Sequence, residues 1–380
     1  MSWNEPIHMV DLHKQYLHIK EEIDEAILRV VASTRYIGGP EVAAFEAEFA
    51  SYLGVNHVIS CANGTDALQL ALMALGLQPG DEVIVPAFSF IATAEVVGLL
   101  DLKPVMIDVD HISFNITPEA IRSALTPKTK AVIPVHLFGQ CCDMAGIMEI
   151  ANEYDLYVIE DNAQSTGAVF TYDTGLQKAG TIGHIGCTSF FPSKNLGCFG
   201  DGGAIYTNDN EIASRLRMIA NHGQNKQYYH EILGVNSRLD AIQAALLRVK
   251  LRHLDDYCQA RRGAAKKYTQ SLAGTEALNT PQEVAWSTHV YHQFTLQTLG
   301  LDRDKLRAHL REKGIPTMIY YPVPLYRQNA FKKYWPDPSV ILPVTEELCK
   351  TVLSLPMHTE LEDGLIEYIA GAVKDYCLNR

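Results

Sequence analysis

The chain reads as an α/β protein, with a mostly parallel central sheet in a large domain and a smaller α+β domain after it. Three observations predict this. Short, near-continuous apolar runs alternate with helical stretches, the pattern of strands buried on both faces by crossover helices. Turn clusters such as Pro79-Gly80-Asp81 punctuate the segments. At 380 residues, the chain is longer than one simple core usually holds. The expected divisions are 1–34, an N-terminal helical segment packing with the small domain; 35–254, the large domain; and 255–380, the small domain.

In chain order, 11–33 is helical, with Ile19, Ile23, Ile27, Val30 and Val31 at helical spacing. Ile37-Gly38-Gly39-Pro40 breaks the chain before a second amphipathic helix at 41–53, with Val42, Phe45, Phe49 and Leu53 on one side. Strand 57–60, helix 65–77, strand 83–85 and helix 93–100 follow. Further strands are expected at 105–109, 131–135 and 157–160, with helices 118–125 and 144–154 between them. After Gly200-Asp201-Gly202-Gly203 come a strand at 204–207 and helices at 211–220 and 239–251. From about Asp255 the rhythm changes. A helix at 261–272, a strand at 291–296, a helix at 304–313 and the proline-rich Tyr321-Pro322-Val323-Pro324-Leu325 make the small domain.

Composition excludes several classes of function. Basic residues number 32 and acidic 44, a formal charge of −12 with no basic run, which disfavours nucleic acid as a partner. No apolar stretch approaches the ~18 residues of a membrane span. The polar start lacks the charged-then-apolar pattern of a signal peptide, so a cytoplasmic protein is expected. The eight cysteines form no C-x-x-C pair, so buried thiols are expected and no metal site.

Four local patterns carry candidate chemistry. The first is Ser189-Phe190-Phe191-Pro192-Ser193-Lys194, followed by Asn195-Leu196-Gly197. The lysine lies between a proline and glycine-rich sequence, where small neighbours let a ring approach the backbone. Its amine could form a Schiff base with a carbonyl cofactor; a solvated surface lysine is the other reading. The second is Val158-Ile159-Glu160-Asp161-Asn162-Ala163-Gln164, an apolar strand ending in acids. Ligands collect beyond such strand ends, and a carboxylate there can pair with a protonated pyridine nitrogen; a capping aspartate or a metal ligand is the alternative. The third, Ser60-Cys61-Ala62-Asn63-Gly64-Thr65-Asp66-Ala67-Leu68, leads through glycine into a helix whose first N–H groups can hold a phosphate. An ordinary N-cap by Asn63 or Thr65 competes with that reading. The fourth is Phe88-Ser89-Phe90, an aromatic pair past a strand end, able to stack on a ring or to fill core.

In this order and spacing the four patterns resemble the DegT/StrS-type sugar aminotransferases of the fold-type I pyridoxal-phosphate (PLP) enzymes. The resemblance runs from Val10-Asp11-Leu12 to Leu355-Pro356-Met357-His358 and includes Pro79-Gly80-Asp81-Glu82-Val83 and Gly234-Val235-Asn236-Ser237-Arg238-Leu239-Asp240. It implies a fold-type I PLP-dependent transferase with PLP in 35–254. It also implies that Lys194 carries the cofactor as a Schiff base and shuttles the proton. Asp161 would pair with the ring nitrogen, Gln164 would bond the phenolic oxygen, and Phe90 would stack on the ring. Gly64, Thr65 and Ser189 would bind the phosphate, and Asn236 would reach the phosphate of the partner subunit, making a homodimer with shared active sites. An amino-acid donor, glutamate, would charge the pyridoxamine form of the cofactor, and a nucleotide-linked keto-sugar would take the amine. Dehydratases of the same fold carry histidine in place of the lysine, so Lys194 speaks for transamination.

The closest branch is the one acting on UDP-2-acetamido-2-deoxy-3-keto-glucuronate, in surface polysaccharide biosynthesis. Arg238 offers a fork for a substrate carboxylate, or else an ion pair to Asp240. His222, Tyr320 and Tyr321 are expected in the sugar pocket and Arg35 and Tyr36 across the dimer, each with packing or surface placement as the alternative. Tyr320-Tyr321 stands where that branch is expected to have a His-Tyr pair. The runner-up substrate is therefore a dTDP- or UDP-linked 3- or 4-keto-6-deoxyhexose. A PLP-binding sensor is the alternative of another class, although no DNA-binding helix pair or basic arm supports it.

Overall fold

The structure is a computed structural model that describes residues 3, 5–172, 175–335, 337 and 339–378. Seven strands build the central sheet: β1 (His57–Cys61), β2 (Glu82–Pro86), β3 (Lys103–Ile107), β4 (Thr129–Val132), β5 (Tyr157–Asp161), β6 (Ile185–Ser189) and β7 (Gly203–Thr207). Their spatial order is β1-β7-β6-β5-β4-β2-β3. Strands β2 to β6 pair in parallel, and β7 runs antiparallel between β6 and β1. Every residue of β2 is buried, as expected of a strand covered on both faces. The mostly parallel sheet is thus the one expected.

Local chemistry explains where the elements depart from expectation. The helix expected at 65–77 is Gly64–Leu75, because Gly76 takes the left-handed conformation (φ 68°) and its N–H closes the end on Met73 O. The single helix expected at 11–33 is two, Leu12–His18 and Lys20–Ser33, joined through the non-helical Ile19. Strand β6 has no apolar run to announce it. At Gly186 a Cβ would lie 2.1 Å from the Tyr206 ring and 2.0 Å from Gly180 O, so the side chain filling that space comes from β7.

The C-terminal part of the chain, the small domain of the expectation, has a three-stranded antiparallel sheet, Leu278–Asn279, Phe294–Thr298 and Val352–Leu355, covered by helices Leu254–Ser271, Arg303–Glu312 and Asp363–Leu378. Its helix Pro343–Thr351 has no side-chain cap of its own. Asp108, just past β3 in the large domain, accepts from the N–H groups of Val344 (3.0 Å) and Thr345 (2.8 Å) instead. The N-terminal segment meets both domains. Ile23, Ala26 and Val30 pack on Ala241, Ala245 and Val249 of the helix Ala241–Leu251. Further upstream, Met9 O accepts from Met357 N–H at 3.1 Å, and Trp3 stacks on Tyr368.

Candidate active site

Parallel strands deliver their carboxyl ends to one edge, and β5 ends there in Asp161, which is buried. Its Oδ2 accepts from Thr93 Oγ1 at 2.8 Å and its Oδ1 from Ala163 N–H at 3.2 Å. Burial pushes the carboxyl above its usual range; those two hydrogen bonds and the charge of Lys194 oppose the shift. Gln164 is oriented on both sides. Its Oε1 accepts from Phe138 N–H at 2.7 Å, and its Nε2 donates to Tyr321 Oη at 3.2 Å, leaving one amide N–H for another acceptor.

Lys194 sits in a turn outside any helix or strand, its N–H donating to Phe191 O at 2.8 Å. Burial pushes its amine down to about 8, and the charge of Asp161 pulls it back up. The buried His292 stands nearby; burial and the charges of Lys194 and Arg261 hold it neutral. Phe90 is 55% exposed, an uncovered ring tilted at 42° to Tyr321 with centroids 6.3 Å apart.

At the start of helix Gly64–Leu75, Asn63 Oδ1 accepts from Asp66 N–H at 2.8 Å. The N–H groups of Gly64 and Thr65 precede that cap and have no partner within the helix. The end of β6 closes over them: a Cβ on Gly64 would lie 2.6 Å from Ser189 Cβ. Gly203, paired with Ser189 in register, leaves no room either, since its Cβ would lie 2.4 Å from Asn63 O. Ser189 Oγ accepts from Phe191 N–H at 3.2 Å and keeps its own proton to donate. A cup of bare N–H groups and a hydroxyl, an uncovered aromatic face, a buried carboxylate and a weakly basic lysine together fit a phosphorylated pyridine aldehyde.

The remaining expected residues form a separate, exposed group. Tyr36 O accepts from Ala241 N–H at 2.8 Å, and Asn236 bridges Asn221, so Arg35, Tyr36, His222, Asn236 and Arg238 come from adjoining segments. All five are exposed, and among the described residues none hydrogen-bonds or ion-pairs with Lys194, Asp161 or Gln164. Arg238 lines a depression of about 200 Å³ with Arg217, Glu46 and Asn221. Glu46 is taken by Arg217 at 3.2 Å, whereas Arg238 makes no ion pair, with Asp240 or any other described residue. Tyr320, half-buried, lies beside Tyr321, with ring centroids 5.8 Å apart.

Sequence reasoning missed the residues that orient the others. Thr93 and Tyr321 hold Asp161 and Gln164 from elements far along the chain, and Tyr321 was expected in the sugar pocket or in packing, not on Gln164. Ser237, buried between the exposed Asn236 and Arg238, accepts from Ala62 N–H at 3.0 Å and donates to the Asp66 carboxylate. It ties the exposed group to the helix start. Among the described residues, no helix is long and apolar enough to cross a membrane and no side-chain group is arranged to hold a metal.

The sequence profile described as the DegT/DnrJ/EryC1/StrS aminotransferase family matches residues 17–374. The UDP-2-acetamido-2-deoxy-3-oxo-D-glucuronate aminotransferase of Pseudomonas aeruginosa is 45% identical over 97% of this chain and 99% of its own. The UDP-N-acetyl-3-dehydro-alpha-D-glucosamine 3-aminotransferase of Acidithiobacillus ferrooxidans is also 45% identical, over 98% of this chain and 99% of its own. Among solved structures, S. venezuelae DesV in complex with a ketimine intermediate superposes with a TM-score of 0.94 at 40% identity, covering 99% of this chain and 100% of that one.

Proposed function

The chain belongs to the DegT/DnrJ/EryC1/StrS aminotransferase family, and from that premise we propose that it places an amino group on C3 of UDP-2-acetamido-2-deoxy-3-keto-glucuronate, with glutamate as donor. Its cofactor is pyridoxal 5'-phosphate, which when bound supplies an electron sink and a carrier for the amine. Lys194 holds it and moves a proton at the reacting carbon, a task suited to an amine that burial has brought to about 8. Asp161 keeps the proton on the ring nitrogen, and the spare N–H of Gln164 meets the phenolic oxygen. Phe90 covers one ring face. Gly64, Thr65 and Ser189 take the phosphate, joined by Asn236 of a second copy. The active unit is a homodimer in the cytoplasm, and its product is an amino sugar for surface polysaccharide such as lipopolysaccharide.

The observation that carries the choice of sugar is the exposed guanidinium of Arg238, which has no ion-pair partner among the described residues. The two relatives' names share a UDP-linked, N-acetylated, 3-keto sugar and differ at C6, a carboxylate in one and a hydroxymethyl in the other. A carboxylate is what an unpaired guanidinium recognises. Comparing turnover of the uronate, its neutral hexose and the 6-deoxy counterpart tests this. Uronate should be preferred, and Arg238→Gln should cost about 10- to 150-fold on the uronate alone, the worth of one charge-assisted hydrogen bond. Preference for the deoxy sugar, with Arg238→Gln leaving turnover intact, would reject the assignment.

A further inference from the structure

We propose that Thr93 is a positioning residue for Asp161: its hydroxyl keeps that carboxylate ionised and aimed, so that the bound pyridine ring keeps its proton. The inference rests on Asp161 facing the ring nitrogen. Thr93 lies in the first turn of helix Ala92–Leu99 and is 1% exposed, among Ala92, Ala94, Val96 and Val97. A threonine in a helix commonly turns its hydroxyl back onto the carbonyl four residues earlier. This one reaches 68 positions along the chain and donates to Asp161 Oδ2 at 2.8 Å. Valine has the same branched shape without the hydroxyl, so Thr93→Val removes the donor and keeps the branching.

The geometry of the carboxylate explains the need. A buried carboxylate with too few donors takes up a proton. Thr93 holds one oxygen of Asp161 and the Ala163 N–H holds the other. The other ionisable groups facing Asp161 are Lys194, His136, Cys187, Tyr206 and Tyr321. The two phenols, kept protonated by burial, accept from Asn162 Nδ2 and Gln164 Nε2. His136 is committed elsewhere, its Nε2 on Glu160 at 2.7 Å and its Nδ1 accepting from Cys142 N–H. The Cys187 thiol is held protonated by burial. Lys194 makes no hydrogen bond to Asp161 among the described residues. Among the described residues, Thr93 is then the one side-chain donor hydrogen-bonded to the carboxylate. It also follows Phe90 by three residues, so one helix start places both the ring's stacking face and its nitrogen clamp.

The test loads the full-length protein with pyridoxamine 5'-phosphate labelled with 15N at the ring nitrogen and reads that nitrogen's chemical shift in wild type, Thr93→Val, Thr93→Ser and Asp161→Asn. Wild type and Thr93→Ser should show the protonated ring. Thr93→Val should move toward the neutral position, with kcat down about tenfold, the equivalent of one pKa unit, and KM for the sugar within about twofold. Thr93→Ala repeats the comparison with a smaller side chain. A wild-type shift in both Thr93→Val and Thr93→Ala, with a changed shift in Asp161→Asn, overturns the inference alone. An unchanged shift in Asp161→Asn overturns the ring-nitrogen assignment as well.

Discussion

At Lys194 two forces oppose each other. Burial disfavours the charged amine, while the Asp161 carboxylate favours it, and burial wins, leaving the amine near 8. The free amine is the nucleophile. Capture of PLP by the apo-protein should therefore rise about tenfold per pH unit below 8 and level off above it, with no further rise toward the 10.4 of an ordinary lysine. Stopped-flow absorbance across pH 6–10, an order-of-magnitude span around that midpoint, would show this. Lys194→Ala should abolish both the titration and any borohydride-reducible lysine adduct. The residues proposed to carry the chemistry stand out in the sequence because they cluster: Asp161 and Gln164 are three apart, Ser189 and Lys194 five. Their supports were not. Tyr321 meets Gln164 across 157 positions, and nothing in a local pattern marks a hydroxyl as someone else's clamp.

Elements show the same division. The helix beginning at Gly64 could be read from its cap and its apolar face, but the reason for a glycine there lies in β6, whose Ser189 Cβ would be 2.6 Å from any added Cβ. Gly64→Ala should push the helix start and β6 apart, at a cost of about 1–3 kcal/mol. Because the strain falls on the phosphate cup, PLP affinity should weaken by roughly 5- to 150-fold, while the melting temperature of the apo-protein falls by only a few degrees. Equilibrium dialysis beside calorimetry separates the two. Strand β6 escaped the sequence because its core volume is supplied by Tyr206 from the next strand over, which leaves glycine where an apolar residue would have advertised the strand. The hydrophobic pattern of one segment cannot report a side chain contributed by another.

For the molecule as a whole, the surface bearing Asn236 and Arg238 also carries Tyr228 at 82% exposure and Leu233 at 92%, apolar groups of a kind that mark contact surfaces. Subunits carrying Lys194→Ala are expected to complement subunits carrying Asn236→Ala: mixing after subunit exchange should restore about a quarter of wild-type activity, because half of the dimers are mixed and each has one complete site. No recovery after demonstrated exchange would mean that each chain completes its own site. The change of rhythm near Asp255 announces the segment that holds the three-stranded antiparallel sheet, but its fastenings to the central sheet were not legible, since Asp108 caps a helix that begins 235 positions later. Those fastenings set how the molecule can move. With Asp108 holding one end of the small domain and the chain's own beginning lying across both bodies, there is little slack for a jaw to swing. On the proposed function, choice among sugars would then fall to the contour already present, with closure contributing little.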